Sequence, residues 1–111
     1  MEQTLIEALD IRNVFQIKKN DGRIDIYFTA EGFTYSLLMK KMEEKYEAWV
    51  VWHENRHECP VCNVLANLDT TMSCRMLHKH RQALFHRLIE FPNIRLEWLY
   101  LPHAVQAQKE G

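Results

Sequence analysis

Ile11-Arg12-Asn13-Val14-Phe15-Gln16-Ile17-Lys18, then Asn20-Asp21-Gly22, then Ile24-Asp25-Ile26-Tyr27-Phe28-Thr29 is the stretch that decides the fold. Ile11, Asn13, Phe15 and Ile17 alternate with Arg12, Val14, Gln16 and Lys18, and beyond the turn Ile24, Ile26 and Phe28 alternate with Asp25, Tyr27 and Thr29. A period of two on both sides of an Asp-Gly turn predicts a β-hairpin with one apolar and one wet face. Upstream, residues 2–9 suit one short helix.

Downstream, the period changes. Tyr35, Leu38, Met39, Met42 and Tyr46 share a stripe at 100° per residue, with Lys40, Lys41, Glu43, Glu44 and Glu47 largely off it. That spacing predicts a helix over 32–46. Trp49-Val50-Val51-Trp52-His53 is aromatic and β-branched, as expected of a strand, and apolar on both faces, as expected of a central one. Residues 63–68 suit a helical turn or two. A long helix is expected from about 71 to 91, capped by Asp69, Thr70 or Thr71 and ended by Pro92. Ile94, Leu96, Trp98 and Tyr100 alternate with Arg95, Glu97, Leu99 and Leu101, giving a last strand closed by Pro102.

The expected fold is therefore α+β in the order (α)ββαβαβ, with a hairpin plus two further strands in one sheet and two main helices packed on it. A single domain over 1–103 and a flexible polar tail over 104–111 are expected. The whole chain has 111 residues, the size of one domain, with 47% hydrophobic and 26% charged residues, which excludes disorder and collagen-like architecture. A net charge of −1 argues against a surface that is basic throughout. The acidic start lacks the features of a signal peptide and no apolar run approaches membrane-spanning length, so a cytoplasmic protein with no membrane partner is expected.

The chemistry concentrates in Cys59-x2-Cys62-x11-Cys74-x3-His78. A two-residue gap lets two thiolates of a knuckle face one ion, and a three-residue gap on a helix puts Cys74 and His78 at i and i+4 on one side. Two such pairs suit tetrahedral zinc, with His53, His57 or His80 able to replace one ligand. On the helix, Leu77, Leu84, Phe85, Leu88 and Phe91 form an apolar stripe that includes Cys74 and has His78 at its edge. The spacing is similar to that of a zinc finger over about twenty residues, with cysteine as the third ligand. An odd count of three cysteines without a signal peptide argues against a disulfide framework.

Two other readings stay open. Strand, Cys59-Pro60-Val61-Cys62 and then helix-like residues resemble the order in thioredoxin-like proteins, which implies Cys59 as the activated thiol and Cys62 as its resolving partner. Alternatively, Cys62 and Cys74 are small buried hydrophobes in a metal-free inhibitor or adaptor.

Arg75, Lys79, Gln82 and His86 share the exposed side of the long helix, a face that could lie along phosphates or meet a partner. Arg81 falls in the apolar stripe, where it must snorkel, pair with a carboxylate such as Glu97, or bind an anion. Trp49, Trp52, Trp98 and Tyr100 are expected in the core, or exposed at a binding surface or dimer interface. These features predict a small zinc-stabilised binding or regulatory module. A protein partner is expected first and nucleic acid second, and the hairpin edge is open to a homodimer. No Gly-rich phosphate loop, nucleophile elbow or paired-carboxylate signature is present in the sequence.

Overall fold

The computed structural model describes residues 2–19, 22–42, 45–65 and 73–95. Its elements run α1 (Glu2–Ala8), β1 (Ile11–Lys18), β2 (Ile24–Ala30), β3 (Phe33–Lys41), β4 (Tyr46–His53), α2 (Arg75–Lys79) and α3 (Arg81–Leu88). The strands form one antiparallel sheet in the order β1-β2-β3-β4. The class is α+β, as expected from sequence. The element order is not: four consecutive strands replace the expected (α)ββαβαβ.

The largest correction is residues 33–41, expected as helix and found as β3. Phe33, Tyr35, Leu37 and Met39 point to one face and are buried, but Ser36 and Leu38 on the other face are buried too. A strand with apolar residues buried at both parities contains helical spacings by accident. The decisive signal is the turn before it. Glu31 (φ 54°) and Gly32 (φ 80°) both take positive φ between paired Ala30 and Phe33, the two-residue geometry that matches strand twist.

The β1–β2 hairpin is present, with one change of face. The register shifts between Arg12 and Phe15, and Asn13 takes φ 55° within that bulge. Ile11 and Val14 therefore turn into the core, whereas Phe15 is 46% exposed and Ile17 is exposed beside it. Simple alternation had placed Phe15 and Ile17 on the face of Ile11.

Among the described strands β4 is at the edge of this sheet, where sequence suggested a central place. Its outer side is covered by the chain before α2: Cys74 N–H donates to Val51 O at 2.9 Å, and Ser73 bridges Trp52. The expected long helix is broken at His80 (φ −109°, ψ 29°) into α2 and α3. Cys74 precedes α2 in extended conformation (φ −84°, ψ 108°), so the helix starts after it. Residues 63–65 are not helical; Leu65 bridges back to Glu58. Ile94 and Arg95 are irregular, and the rest of the expected last strand, the capping residues Asp69 to Thr71 and the expected tail lie outside the described residues.

The helices pack on one face of the sheet, α3 and α2 against β4 and α1 against α3. The core between them holds Ile6, Ile24, Ile26, Phe28, Leu37, Val51, Leu77, Leu84 and Leu88. Burying each such aliphatic or aromatic side chain contributes roughly 1.5–3 kcal/mol. Among the described residues no helix is long and apolar enough to cross a membrane.

Candidate metal centre

Three separate segments deliver the site. β4 ends in His53, which is 2% exposed. Its ring lies between Phe33, at a centroid distance of 5.5 Å and edge-on, and Tyr35, at 5.9 Å. The chain leaving β4 is pinned to β3, because Glu54 N–H donates to Thr34 O (2.9 Å) and Ser36 Oγ donates to the Glu54 carboxylate (2.7 Å). The next segment doubles back as a knuckle, with Cys59 N–H donating to Val64 O and Asn63 N–H to Cys59 O. Pro60 presets the φ of the turn, and Asn63 supplies the left-handed residue (φ 63°) that closes it, a conformation asparagine tolerates better than most side chains. Cys74 arrives last, held by its backbone bond to Val51.

The result brings His53, Cys59, Cys62 and Cys74 together with all four ligand atoms within 4.8 Å of one another. Cys59 Sγ and Cys74 Sγ are 3.9 Å apart, and Cys62 Sγ lies 3.5 Å from His53 Nε2. A tetrahedral zinc with Zn–S of ~2.3 Å and Zn–N of ~2.0 Å sets S–S edges near ~3.8 Å and S–N edges near ~3.5 Å. Both measured separations are edges of that tetrahedron. A Cys3His donor set is close enough to bind a metal ion and soft enough to favour zinc.

His78 is not in this group, although the sequence spacing pointed to it. The i, i+4 argument required Cys74 to be helical. Because Cys74 sits before α2 in extended conformation, its thiol turns back to the knuckle and His78 does not follow. His78 Nδ1 is buried and has no hydrogen-bond partner among the described residues. Burial, and then the charge of Arg81, holds the His78 ring below its ordinary pKa. His53, which sequence reading offered only as a substitute, takes the fourth place.

Hydrogen bonds to sulfur surround the cluster. The Tyr35 hydroxyl lies 2.9 Å from Cys59 Sγ, and Cys62 N–H donates to the same sulfur at 3.4 Å. Backbone N–H groups of Val64 and Leu77 serve Cys62 and Cys74 in the same way. Burial pushes the Cys59 thiol up, but the Tyr35 hydroxyl and the N–H groups of Cys62 and Val61 outweigh it, leaving it lowered to about 7. Burial pushes Cys74 up, and the neighbouring cysteines add to this. Burial, then the bond to Cys59, holds the Tyr35 hydroxyl far above its ordinary range, so it stays protonated and acts as a donor. Three thiolates around a divalent ion leave one excess negative charge, and these donors are what a buried site needs to carry it. Tyr35 was not singled out from sequence, since nothing in its spacing marks it.

For a thiol–disulfide role, Cys59 is fully buried and the knuckle sits in a turn whose following residues 63–65 are not helical, so no helix N-terminus activates it there. All three cysteines are free thiols.

Arg75, Lys79, Gln82 and His86 are all exposed, but on two helices separated by the break at His80 rather than along one. Arg81 is part-buried, and its described hydrogen bonds go to carbonyls: Nε to Ala48 O (3.3 Å) and Nη1 to His78 O (3.0 Å). It thus clamps β4 to the end of α2, and Glu97 lies outside the described residues.

Fold and site together define a small α+β protein with a Cys3His cluster buried at one corner of its sheet. No family model, no curated protein and no solved structure matches the chain.

Proposed function

We propose that this chain is a small zinc-stabilised binding module, with Cys59, Cys62, Cys74 and His53 holding one ion. The observation that carries this is the mutual approach of four ligand atoms within 4.8 Å. All four tetrahedral positions are filled by protein side chains, which favours a structural over a catalytic ion. The metal ties the end of β4, the knuckle and the start of α2 to one point.

The test is elemental analysis of tag-free protein with a parallel count of reactive thiols, followed by cobalt substitution. One zinc per chain, shielded thiols, and cobalt absorption of a tetrahedral thiolate-rich site are expected. No metal with Cys59 and Cys62 cycling as a disulfide transfers the assignment to a thiol–disulfide protein. No metal with three inert thiols leaves a metal-free adaptor or inhibitor.

A further inference from the structure

The sheet face opposite the metal carries a second site. The register of β3 and β4 shifts between Leu38 and Met39, where Val50 faces Leu38 and Ala48 faces Met39, leaving Trp49 as the extra residue. Bulges re-aim side chains, and here the indole is 51% exposed. Lys40 Nζ stands 4.6 Å from its ring centroid. A cleft of about 260 Å³ is lined by Arg23, Lys40, Lys41 and Trp49, three cations and one flat aromatic, with no acid among the described lining residues. Arg23 is already paired with Asp25 (3.1 Å), which Lys19 also approaches (3.7 Å), so Lys40 and Lys41 are the cations the cleft offers; Glu47 stands opposite Lys40 in the β3–β4 register and also lines a different cleft with Lys45, Gln82 and His86.

The same face offers another aromatic platform on β1 and β2, at least two strand spacings from Trp49 across the sheet and displaced from it along the strands. Phe15 stacks on Tyr27 at 5.1 Å and 10°, and Lys19 Nζ lies 5.8 Å from the Tyr27 ring. Tyr27 and Lys40 share a face because Tyr27 pairs with Ser36 and Asp25 with Leu38, residues at even steps from Lys40.

We infer that this face binds single-stranded nucleic acid, with a base stacked on Trp49, its phosphates on Lys40 and Lys41, and a further base against Phe15. Aromatic faces with cations beside them are how single strands are held without sequence readout. An acidic peptide would satisfy the cations but leave two flat rings unused. This goes beyond the metal reading and does not depend on it, since the cluster lies on the other face.

The test is fluorescence anisotropy of a labelled oligo-thymidine single strand of about 12 nucleotides, titrated with the full-length, metal-replete protein. The same strand as a duplex and a polyglutamate peptide are the comparison probes. Binding to the single strand is expected to weaken about sevenfold between roughly 50 and 200 mM salt for two phosphate contacts. Trp49→Ala is expected to cost roughly fivefold or more, as loss of one stacked base does. Lys40→Ala with Lys41→Ala is expected to flatten the salt dependence. Because Trp49 is half-exposed, zinc content and melting temperature of its variant should match the parent, which separates this test from the metal one. Absence of binding at the lower salt, equal binding of duplex or polyglutamate, or an unchanged affinity in Trp49→Ala overturns the inference.

Discussion

The centre of the sheet and the cysteine corner are held by different physics. β2 and β3 meet through a two-residue turn, pair over the whole length of β2, and bury Ile24, Ile26, Phe28, Tyr35 and Leu37. Their contacts are local in sequence and apolar. The corner joins His53, Cys59, Cys62 and Cys74 across irregular chain, with polar ligands and backbone donors instead of aliphatic surface. Apolar burial and the strand ladder hold the first region. The second gathers four metal-ligating side chains within 4.8 Å of one another, with hydrogen-bond donors around the sulfurs. On the zinc reading, stability in this molecule is divided into a part that water drives and a part that a cation drives.

Removing the ion breaks this comparison most directly. Structural zinc contributes on the order of 10 kcal/mol or more where folding depends wholly on it. Here a strong chelator is expected to abolish amide protection in 54–65 and 73–80 while β2 and β3 stay protected, as read by hydrogen exchange. Simultaneous loss everywhere would mean that the two regions are one cooperative unit. The converse variant, Phe28→Ala, removes a fully buried ring from the sheet. It should cost about 3–5 kcal/mol in a denaturant melt, with zinc affinity of the folded protein unchanged.

Smaller changes sharpen the ligand assignment. His53→Ala should weaken zinc by more than the roughly 10–100-fold typical of an outer partner, whereas His78→Ala should leave a competition titration unaltered. Tyr35→Phe deletes one donor to Cys59 and no ligand. A loss of about tenfold in zinc affinity is expected, together with faster alkylation of Cys59 in the loaded protein. The least demanding check is pH. Thiols must shed protons to bind metal, so affinity rises with pH and falls on acidification. With Cys59 lowered to about 7 and Cys74 pushed up by burial, about two to three protons should leave per ion near neutrality. Calorimetry in buffers of different ionisation heat reads that number.

These regions were also legible to different degrees. The hairpin was readable because alternation and an Asp-Gly turn agreed. β3 was misread because Tyr35, Leu38, Met39, Met42 and Tyr46 fit a helical wheel, although Glu31-Gly32 between Ala30 and Phe33 carries a hairpin signal that outranks it. The outward turn of Phe15 and Ile17 was hidden, since a bulge at Asn13 leaves no compositional mark. In the corner, the three cysteines are drawn together as their spacing suggested. The choice of His53 over His78 depends on Cys74 standing before α2, a boundary that a single sequence fixes poorly. The Tyr35 hydroxyl reaches the cluster only because β3 pairs with β4 in a register that sequence spacing does not encode.

The bond from Cys74 N–H to Val51 O has an implication for how the protein fails. Ser73 and Cys74 lie along the outer side of β4 and occupy hydrogen-bonding groups that an edge strand otherwise offers to any passing chain. One ligand of the cluster is therefore also the cover on the sheet's sticky border. If the corner holds an ion as proposed, its loss would lift the segment and leave Trp49 to His53 a bare, aromatic-rich template for copies of itself. Metal starvation would then show first as clumping, at temperatures where the remaining strands are still folded.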